Sequence, residues 1–224
     1  MSLQNIEIND IIYKYNIFKK KGIRNIRLRI ERDGIIKISL PWYIPKIEAK
    51  NFLIKNVNWL EKNFVLLNKQ KDQYLYLGTN IKISKIIDSN CLNIEYYLSD
   101  NIFYIKSNGS FRINEREIYH KWLKSEAEKF IIKETERIAS EHHFEYNKIK
   151  IKDMRSRWGS CSAKKNLSFN LKLMYFKPKI IEYVIVHELC HLKEMNHSKN
   201  FWLLVENIIP NYKTCRKKIK NFFL

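Results

Sequence analysis

The sequence has little glycine, proline or cysteine, and each shortage excludes a class of protein. With 5 glycines and 4 prolines in 224 residues, the chain lacks the composition of a disordered or collagen-like protein. Its 4 cysteines are scattered without a Cys-x-x-Cys pair, which argues against a disulfide scaffold and favours a cytoplasmic location. No run of about 18 apolar residues occurs, so we expect no membrane span. The amino terminus also lacks the basic and apolar stretches of a signal peptide.

Acidic residues are scarce relative to basic ones. The chain has 42 Lys and Arg against 23 Asp and Glu, which gives a net charge of +19. Such a charge favours an acidic partner, such as nucleic acid, a nucleotide or another anionic small-molecule substrate. The chain is also rich in Lys, Ile and Asn, the residues that an AT-rich genome encodes most often, so the charge could equally reflect composition.

The segment His187-Glu188-Leu189-Cys190-His191 carries the most chemical information. Residues four apart lie on the same face of a helix, so the two histidines can occupy adjacent corners of a tetrahedral zinc site. Glu188 can then act as general base toward a water on the same metal. The alternative is a chance pattern on a solvated helix face. The apolar residues 180–186 argue against that alternative, because polar groups on a buried helix need partners.

A third histidine, His197, follows ten residues after His187. On an unbroken helix it would lie about 15 Å further along the axis, too far to share a metal. The metal interpretation therefore requires the helix to end between His191 and His197. Asn196 tolerates the left-handed conformation that such a turn can use, and Ser198 is a good N-cap for a following helix. We predict a metal site of His187, His191 and His197 that binds zinc or another divalent transition metal.

Hydrophobic periodicity predicts an α+β fold in two parts. Alternating residues around Asp33-Gly34 indicate a β-hairpin, residues 45–68 a helix, and residues 74–106 further strands. We assign residues 1–110 to an N-terminal α+β portion and residues 111–224 to a catalytic domain. The catalytic domain is predicted to contain a helix at 114–141, strands at 148–153 and 166–173, the His-Glu-x-x-His helix from Pro178, and helices at 198–209 and 212–223.

Three further predictions concern the surroundings of the metal. Residues 166–171 are a candidate edge strand that pairs with an extended substrate, although an internal strand is nearly as plausible. Cys190 is expected to face the core. Arg155 and Arg157 point to the same side of an extended segment and could bind an anionic substrate group or a developing oxyanion. Alternatively, these arginines hold the turn by stacking on Trp158 or pairing with an acid.

The combination of three motifs resembles the YgjP-like family of predicted metallohydrolases, which is allied to SprT-like and WLM peptidase domains. The motifs are Arg-x-Arg-Trp-Gly-Ser-Cys at 155–161, His-Glu-x-x-His at 187–191 and Asn-His-Ser at 196–198. Tyr76-Leu77-Gly78 and the N-terminal strands extend the likeness to nearly the whole chain. The resemblance implies a zincin-like domain in which His187, His191 and His197 hold the metal and Glu188 is catalytic.

We weigh three functions. A zinc metallopeptidase acting on a peptide follows from the metal motif. A metal-dependent nucleoside triphosphate pyrophosphatase would explain the basic charge and the arginine pair. A nucleic-acid-associated module with a structural metal ranks last, because structural zinc sites normally have four protein ligands and only three are evident here.

Overall fold

The computed structural model describes residues 3–31, 33–71, 73–110, 112–154, 156–220 and 222. It is a mixed α+β structure, as predicted, and divides into two compact units, one up to residue 72 and the other from residue 73. No helix in the described ranges combines the length and the apolarity that a membrane crossing requires.

The first unit contains one sheet and two helices. The strands run in the order β1-β2-β4-β3, with β2 parallel to β4 and the other pairs antiparallel. The predicted hairpin is confirmed: Gly34 has φ +86°, and Asp33 Oδ1 accepts a hydrogen bond from Ile35 N at 2.9 Å. The elements are β1 Gln4–Ile8, β2 Ile11–Lys20, β3 Arg27–Ile30, β4 Ile36–Pro41, α1 Ile47–Lys55 and α2 Val57–Lys71.

The single helix predicted at 45–68 is two helices, because the backbone leaves helical geometry at Asn56 (φ −112°, ψ 20°). The side-chain amide Nδ2 of Asn56 donates to the Phe52 carbonyl at 2.8 Å. A side chain that bonds its own backbone in this way competes with helix propagation. Leu53 and Leu60, on either side of the break, are both fully buried in the core of this unit.

The second unit begins with a sheet whose strands run in the order β5-β6-β8-β7, and continues with a three-stranded sheet in the order β10-β11-β9. A 3-10 helix, Leu171–Tyr175, connects the second sheet to α4. The elements are β5 Tyr74–Tyr76, β6 Thr79–Ile87, β7 Glu95–Ser99, β8 Ile102–Ser107, α3 Glu115–Glu141, β9 Lys148–Lys152, β10 Gly159–Cys161, β11 Asn166–Asn170, α4 Pro178–Cys190, α5 Lys199–Ile208 and α6 Tyr212–Lys220.

The division at residue 72 differs from the boundary predicted near residue 110. Strands β5 to β8 belong to the second unit because they share its core. Phe103 is fully buried in the same hydrophobic cluster as residues of α3 and α4. Leu77 N donates to the Met174 carbonyl at 2.7 Å, and the Tyr119 hydroxyl donates to the Leu75 carbonyl at 2.7 Å.

The sheet order also corrects the predicted edge strand. The strand of residues 166–170 is β11, which lies in the centre between β10 and β9. Its pairing with β9 is parallel, and its pairing with β10 is antiparallel. Among the described residues, β10 has one neighbour only, so the edge beside α4 is formed by residues 159–161.

Candidate metal centre

Helix α4 places two histidines on one face. Pro178 begins the helix at a position where its missing N–H costs nothing, and Ile181 and Ile185 are fully buried one turn apart. His187 lies in the last turn and His191 is the C-cap residue. The ring centroids of these two histidines are 4.9 Å apart. Cys190 is fully buried, as predicted.

The chain turns back directly after His191. Glu194 N donates to the Cys190 carbonyl at 2.9 Å, and a second tight turn brings Ser198 N to the Asn196 carbonyl at 2.8 Å. Asn196 tolerates a left-handed backbone, but the turn does not use it, since Asn196 is not among the described residues with positive φ. The predicted cap is confirmed, since Ser198 Oγ accepts from Phe201 N at 3.2 Å.

This reversal brings the third histidine to the other two. His197 Nε2 lies 3.0 Å from His187 Nε2, and one nitrogen from each of His187, His191 and His197 lies within 4.8 Å of the others. Ligands at about 2.0–2.1 Å from a tetrahedral metal are a little over 3 Å apart, so these nitrogens fit one metal ion.

The protonation of the histidines suits metal binding as well. The Glu194 carbonyl can only accept, so His191 Nδ1, 3.0 Å away, donates to it, and Nε2 is the nitrogen of the neutral tautomer that can bind a metal. Burial lowers the pKa of His187 to about 3, helped by the charges of His191, His197 and Arg216. Burial also lowers the pKa of His197. Neutral imidazole is the form that binds a metal.

Two aromatic residues of α5 hold the histidine rings. Phe201 is fully buried and stacks on His191, with centroids 4.5 Å apart and an interplanar angle of 27°. Trp202 stacks on His197 at 5.6 Å and 23°. Trp202 also stacks on Tyr212 of α6 at 5.2 Å. The ring orientations are therefore fixed by packing from two helices beyond α4.

Glu188 lies beside this cluster in a nearly closed environment. Its exposed fraction is 6%, and burial raises its pKa to about 8, while the charge of Arg157 and a hydrogen bond from the backbone N–H of Cys161 oppose that rise. Gly159 leaves space for it: a Cβ at residue 159 would lie 2.5 Å from Glu188 Oε1 and 2.8 Å from Cδ. The carboxyl is thus positioned by β10, which sequence reasoning did not anticipate.

Of the two arginines predicted to bind substrate, only Arg157 belongs to the part of the chain that the structure describes. Arg155 lies outside the described residues. Arg157 is exposed, and its charge acts on Glu188. Its backbone is fixed by the buried Asn170, whose Nδ2 donates to the Arg157 carbonyl at 3.0 Å and to the Met154 carbonyl at 2.8 Å. Of the predicted alternatives, stacking on Trp158 is not seen for Arg157 among the described contacts, since Trp158 packs on Phe176 at 4.9 Å.

A third arginine near the histidines was missed from the sequence. The guanidinium carbon of Arg216, in α6, lies 4.5 Å from the centroid of the Trp202 ring. Its charge contributes to the lowered pKa of His187 and of His197. No local pattern connects residue 216 with the His-Glu-x-x-His segment, so only the fold reveals this relationship.

These observations place a histidine cluster that fits a metal beside a buried carboxyl group. A family model described as the YgjP-like metallopeptidase domain matches residues 24–222. The chain belongs to the YgjP-like family. Membership makes the protein a metal-dependent hydrolase, and the YgjP-like match extends over most of both structural units.

Two solved structures are similar to part of this YgjP-like chain. One is the metallopeptidase zymogen abylysin of Pyrococcus abyssi, with 19% identity, 42% of this chain and 100% of that chain covered, and a TM-score of 0.38. The other is the metallopeptidase zymogen jannalysin of Methanocaldococcus jannaschii, with 28% identity, 40% and 92% covered, and a TM-score of 0.37. No curated protein matches the chain.

Proposed function

We propose that the protein is a zinc metallopeptidase whose metal is held by His187, His191 and His197. The observation that carries the proposal is the approach of three imidazole nitrogens to within 4.8 Å of one another, in a chain of a metallopeptidase family. Three imidazole nitrogens this close together suit zinc and leave one position for solvent or substrate. Nickel, cobalt or iron(II) could bind the same donors.

Bound at this site, zinc would lower the pKa of a water molecule to about 7 and polarise the substrate carbonyl. Glu188 is the only acidic residue of the His-Glu-x-x-His segment and lies one residue after His187. Its carboxylate oxygens accept the proton of the attacking water, and the protonated carboxyl then donates to the departing amine. Burial raises the pKa of Glu188 to about 8 in the metal-free protein, and the charge of a bound zinc ion would favour the carboxylate form that accepts the proton.

The residues around Glu188 support this role. The Cys161 N–H donates to the carboxylate and helps to fix its orientation. The close approach of Gly159 leaves little room for water on that side of the carboxyl group. We assign to Arg157 the binding of an anionic group of the substrate; its charge acts on Glu188 and the residue is exposed, which supports this role. We extend the same substrate-binding role to Arg155 from its position in the motif alone.

Hydrolysis of a nucleoside triphosphate is the second candidate function. The observation that favours it is a group of basic side chains, Arg157, Lys148, Lys150 and Lys152, which line one cleft. Triphosphates need several cations, and metal-dependent hydrolysis does not by itself fix the bond that is broken.

The test compares zinc-loaded wild-type protein with the Glu188→Gln variant on a casein-like substrate and on a panel of nucleoside triphosphates. Release of peptides that disappears in Glu188→Gln, with metal content unchanged, is the expected result. Release of pyrophosphate without release of peptides would reject the peptidase and favour the second candidate. Hydrolysis that persists in Glu188→Gln would remove this residue from the proposed chemistry.

A further inference from the structure

One face of the sheet β10-β11-β9 carries a basic cleft of about 410 Å³. We call it the lysine cleft. Its basic side chains come from β9 and from the loop before β10, and its other lining residues lie in or next to β10 and β11. The residues that matter here are Lys148, Lys150, Lys152, Arg157, Ser160 and Ser168.

The three lysines share a face because they alternate along β9. Successive side chains of a strand point to opposite faces, so Ile149 and Ile151 pack against the hydrophobic core while the lysines face outward. The cross-strand partners of Lys148, Lys150 and Lys152 are, in that order, the uncharged residues at 166, 168 and 170. Acidic partners at these positions would stabilise the strand pair, but none of the three is acidic.

No acidic side chain lines the cleft among the described residues. Four cations therefore share one concave surface without a carboxylate between them. A composition bias alone would raise the number of lysines on every surface. It would not by itself gather four cations on one face with no carboxylate among the ten described residues that line the cleft. This arrangement favours an anionic ligand from outside the chain.

The spacing of the lysines indicates what kind of anion fits. Alternate residues of a strand are about 6.6–6.8 Å apart, which is also the distance between alternate side chains of an extended peptide. A peptide with acidic residues at alternate positions would match the row. Single-stranded nucleic acid fits less well, because binding of its bases relies on aromatic stacking and no aromatic side chain lines the cleft in the described structure.

The lysine cleft adjoins the candidate centre through β10. Gly159 and Cys161 contact Glu188, and Ser160 and Cys161 line the cleft. The cleft therefore begins at the strand that positions the carboxyl group, and a peptide bound in it must pass the edge of β10 to reach Glu188. We propose that the lysine cleft binds acidic side chains that flank the scissile bond of an extended peptide substrate, and so selects peptides with an acidic segment next to the bond that is hydrolysed. This inference rests on the proposed peptidase function for its biological meaning.

The test measures binding apart from hydrolysis. Zinc-loaded Glu188→Gln protein is titrated, at low and moderate salt, against a fluorescein-labelled peptide of alternating Glu and Ser, and against a labelled oligo-dT of equal charge. The cleft variant adds Lys148→Gln, Lys150→Gln and Lys152→Gln. The control variant adds Lys121→Gln, Lys124→Gln and Lys133→Gln, which remove the same charge from exposed positions of α3.

We expect the cleft variant to bind the Glu-Ser peptide about 10-fold more weakly, and the control variant to bind it within about 2-fold of its parent. If both variants bind the peptide equally weakly, the loss of binding is caused by the change in net charge alone, and the proposal is overturned. No measurable binding of the peptide would overturn it as well. Tighter binding of oligo-dT that is lost in the cleft variant would reassign the surface to nucleic acid.

A kinetic arm separates this proposal from the function on which it rests. In protein that keeps Glu188, the cleft variant should raise KM for a Glu-Ser-flanked peptide and leave kcat unchanged. If wild-type protein hydrolyses no peptide but the binding difference remains, the peptidase proposal fails and the lysine cleft stands. If the wild-type protein hydrolyses peptides but the cleft variant changes neither binding nor KM, the lysine-cleft proposal fails and the peptidase proposal stands.

Discussion

Gly159 and Glu188 are in direct contact: a Cβ added at residue 159 would lie 2.5 Å from Oε1 and 2.6 Å from Cγ of the glutamate. These are distances that no alanine can adopt without movement of either β10 or the carboxyl group. Glycine at 159 is therefore part of how Glu188 is positioned, although it has no functional group of its own. The contact leads to the first prediction.

Gly159→Ala should lower kcat about 100-fold or more while zinc content stays at the wild-type level. The added methyl group displaces Glu188, and misplacement of a catalytic group by about 1 Å costs about this much. Turnover is measured together with metal content, and Ser156→Ala, an exposed change in the same segment, serves as the control. Wild-type kcat in Gly159→Ala would show that the carboxyl position is not critical.

His197→Ala should weaken zinc binding by more than about 100-fold, because loss of even an outer partner of a ligand can cost that much. Glu188→Gln should bind zinc as the wild type does, since Glu188 is not among the three clustered nitrogen donors. Competition with a zinc-binding dye gives the affinities, with His142→Ala as the control outside the cluster. A His197→Ala variant of unchanged affinity would remove this residue from the ligand set.

Zinc-free protein should become less stable as pH rises through the range in which Glu188 ionises. Burial raises the pKa of this carboxyl from 4.5 to about 8, so between those values the folded state binds a proton that the unfolded state releases. Stability therefore falls as pH increases from about 5 to about 9. Glu188→Gln removes this dependence and should be more stable than wild type at about pH 9, by on the order of 3 kcal/mol.

Thermal or urea unfolding of both zinc-free proteins at the two pH values measures this difference. The comparison between proteins cancels the titration of all other groups. A difference in stability that does not change with pH would mean that Glu188 titrates at its ordinary pKa.

Gly78→Ala should destabilise the second unit by about 1–3 kcal/mol through backbone strain. A steric clash of the new methyl group should add to this loss. Gly78 has φ +83°, and its added Cβ would meet the backbone N of Lys177 at 3.0 Å, just before α4 begins. Gly109→Ala is the matched control, since residue 109 has φ +84° but only an ordinary 3.6 Å contact with Ile87. If urea unfolding shows the same loss in free energy of unfolding for both variants, the contact with Lys177 does not contribute to the effect of Gly78→Ala.

The histidine cluster could be predicted from the sequence because its signals are local. His187 and His191 are one helical turn apart, and Ser198 marks the start of the helix that follows His197. The long helix α3 was predicted at 114–141 for the same reason, and the structure has Asn114 as its N-cap. The assignment of the three histidines as ligands stays a prediction until a metal is measured.

Other features depend on contacts between distant residues and could not be read locally. The order β10-β11-β9 rests on parallel pairing of β11 with β9, so the alternation of residues 166–171 did not reveal a central strand. The roles of Gly159 and Arg216 depend on the approach of β10 and α6 to the histidine helix. The structure divides the chain at residue 72 and not near residue 110, because β5 to β8 pack into a core completed by much later residues.

The reversal of the chain after His191 means that the third nitrogen donor is presented by the start of α5 rather than by α4. An ion held by all three histidines would therefore cross-link α4 and α5 and fix the short loop that joins them. Chelation should loosen α5, and with it the Trp202–Tyr212 stack that links α5 to α6, before it melts α3. Metal binding would therefore be coupled to local folding of the carboxy-terminal helices α5 and α6. Hydrogen exchange of their backbone amides, followed as metal is added, would measure this coupling.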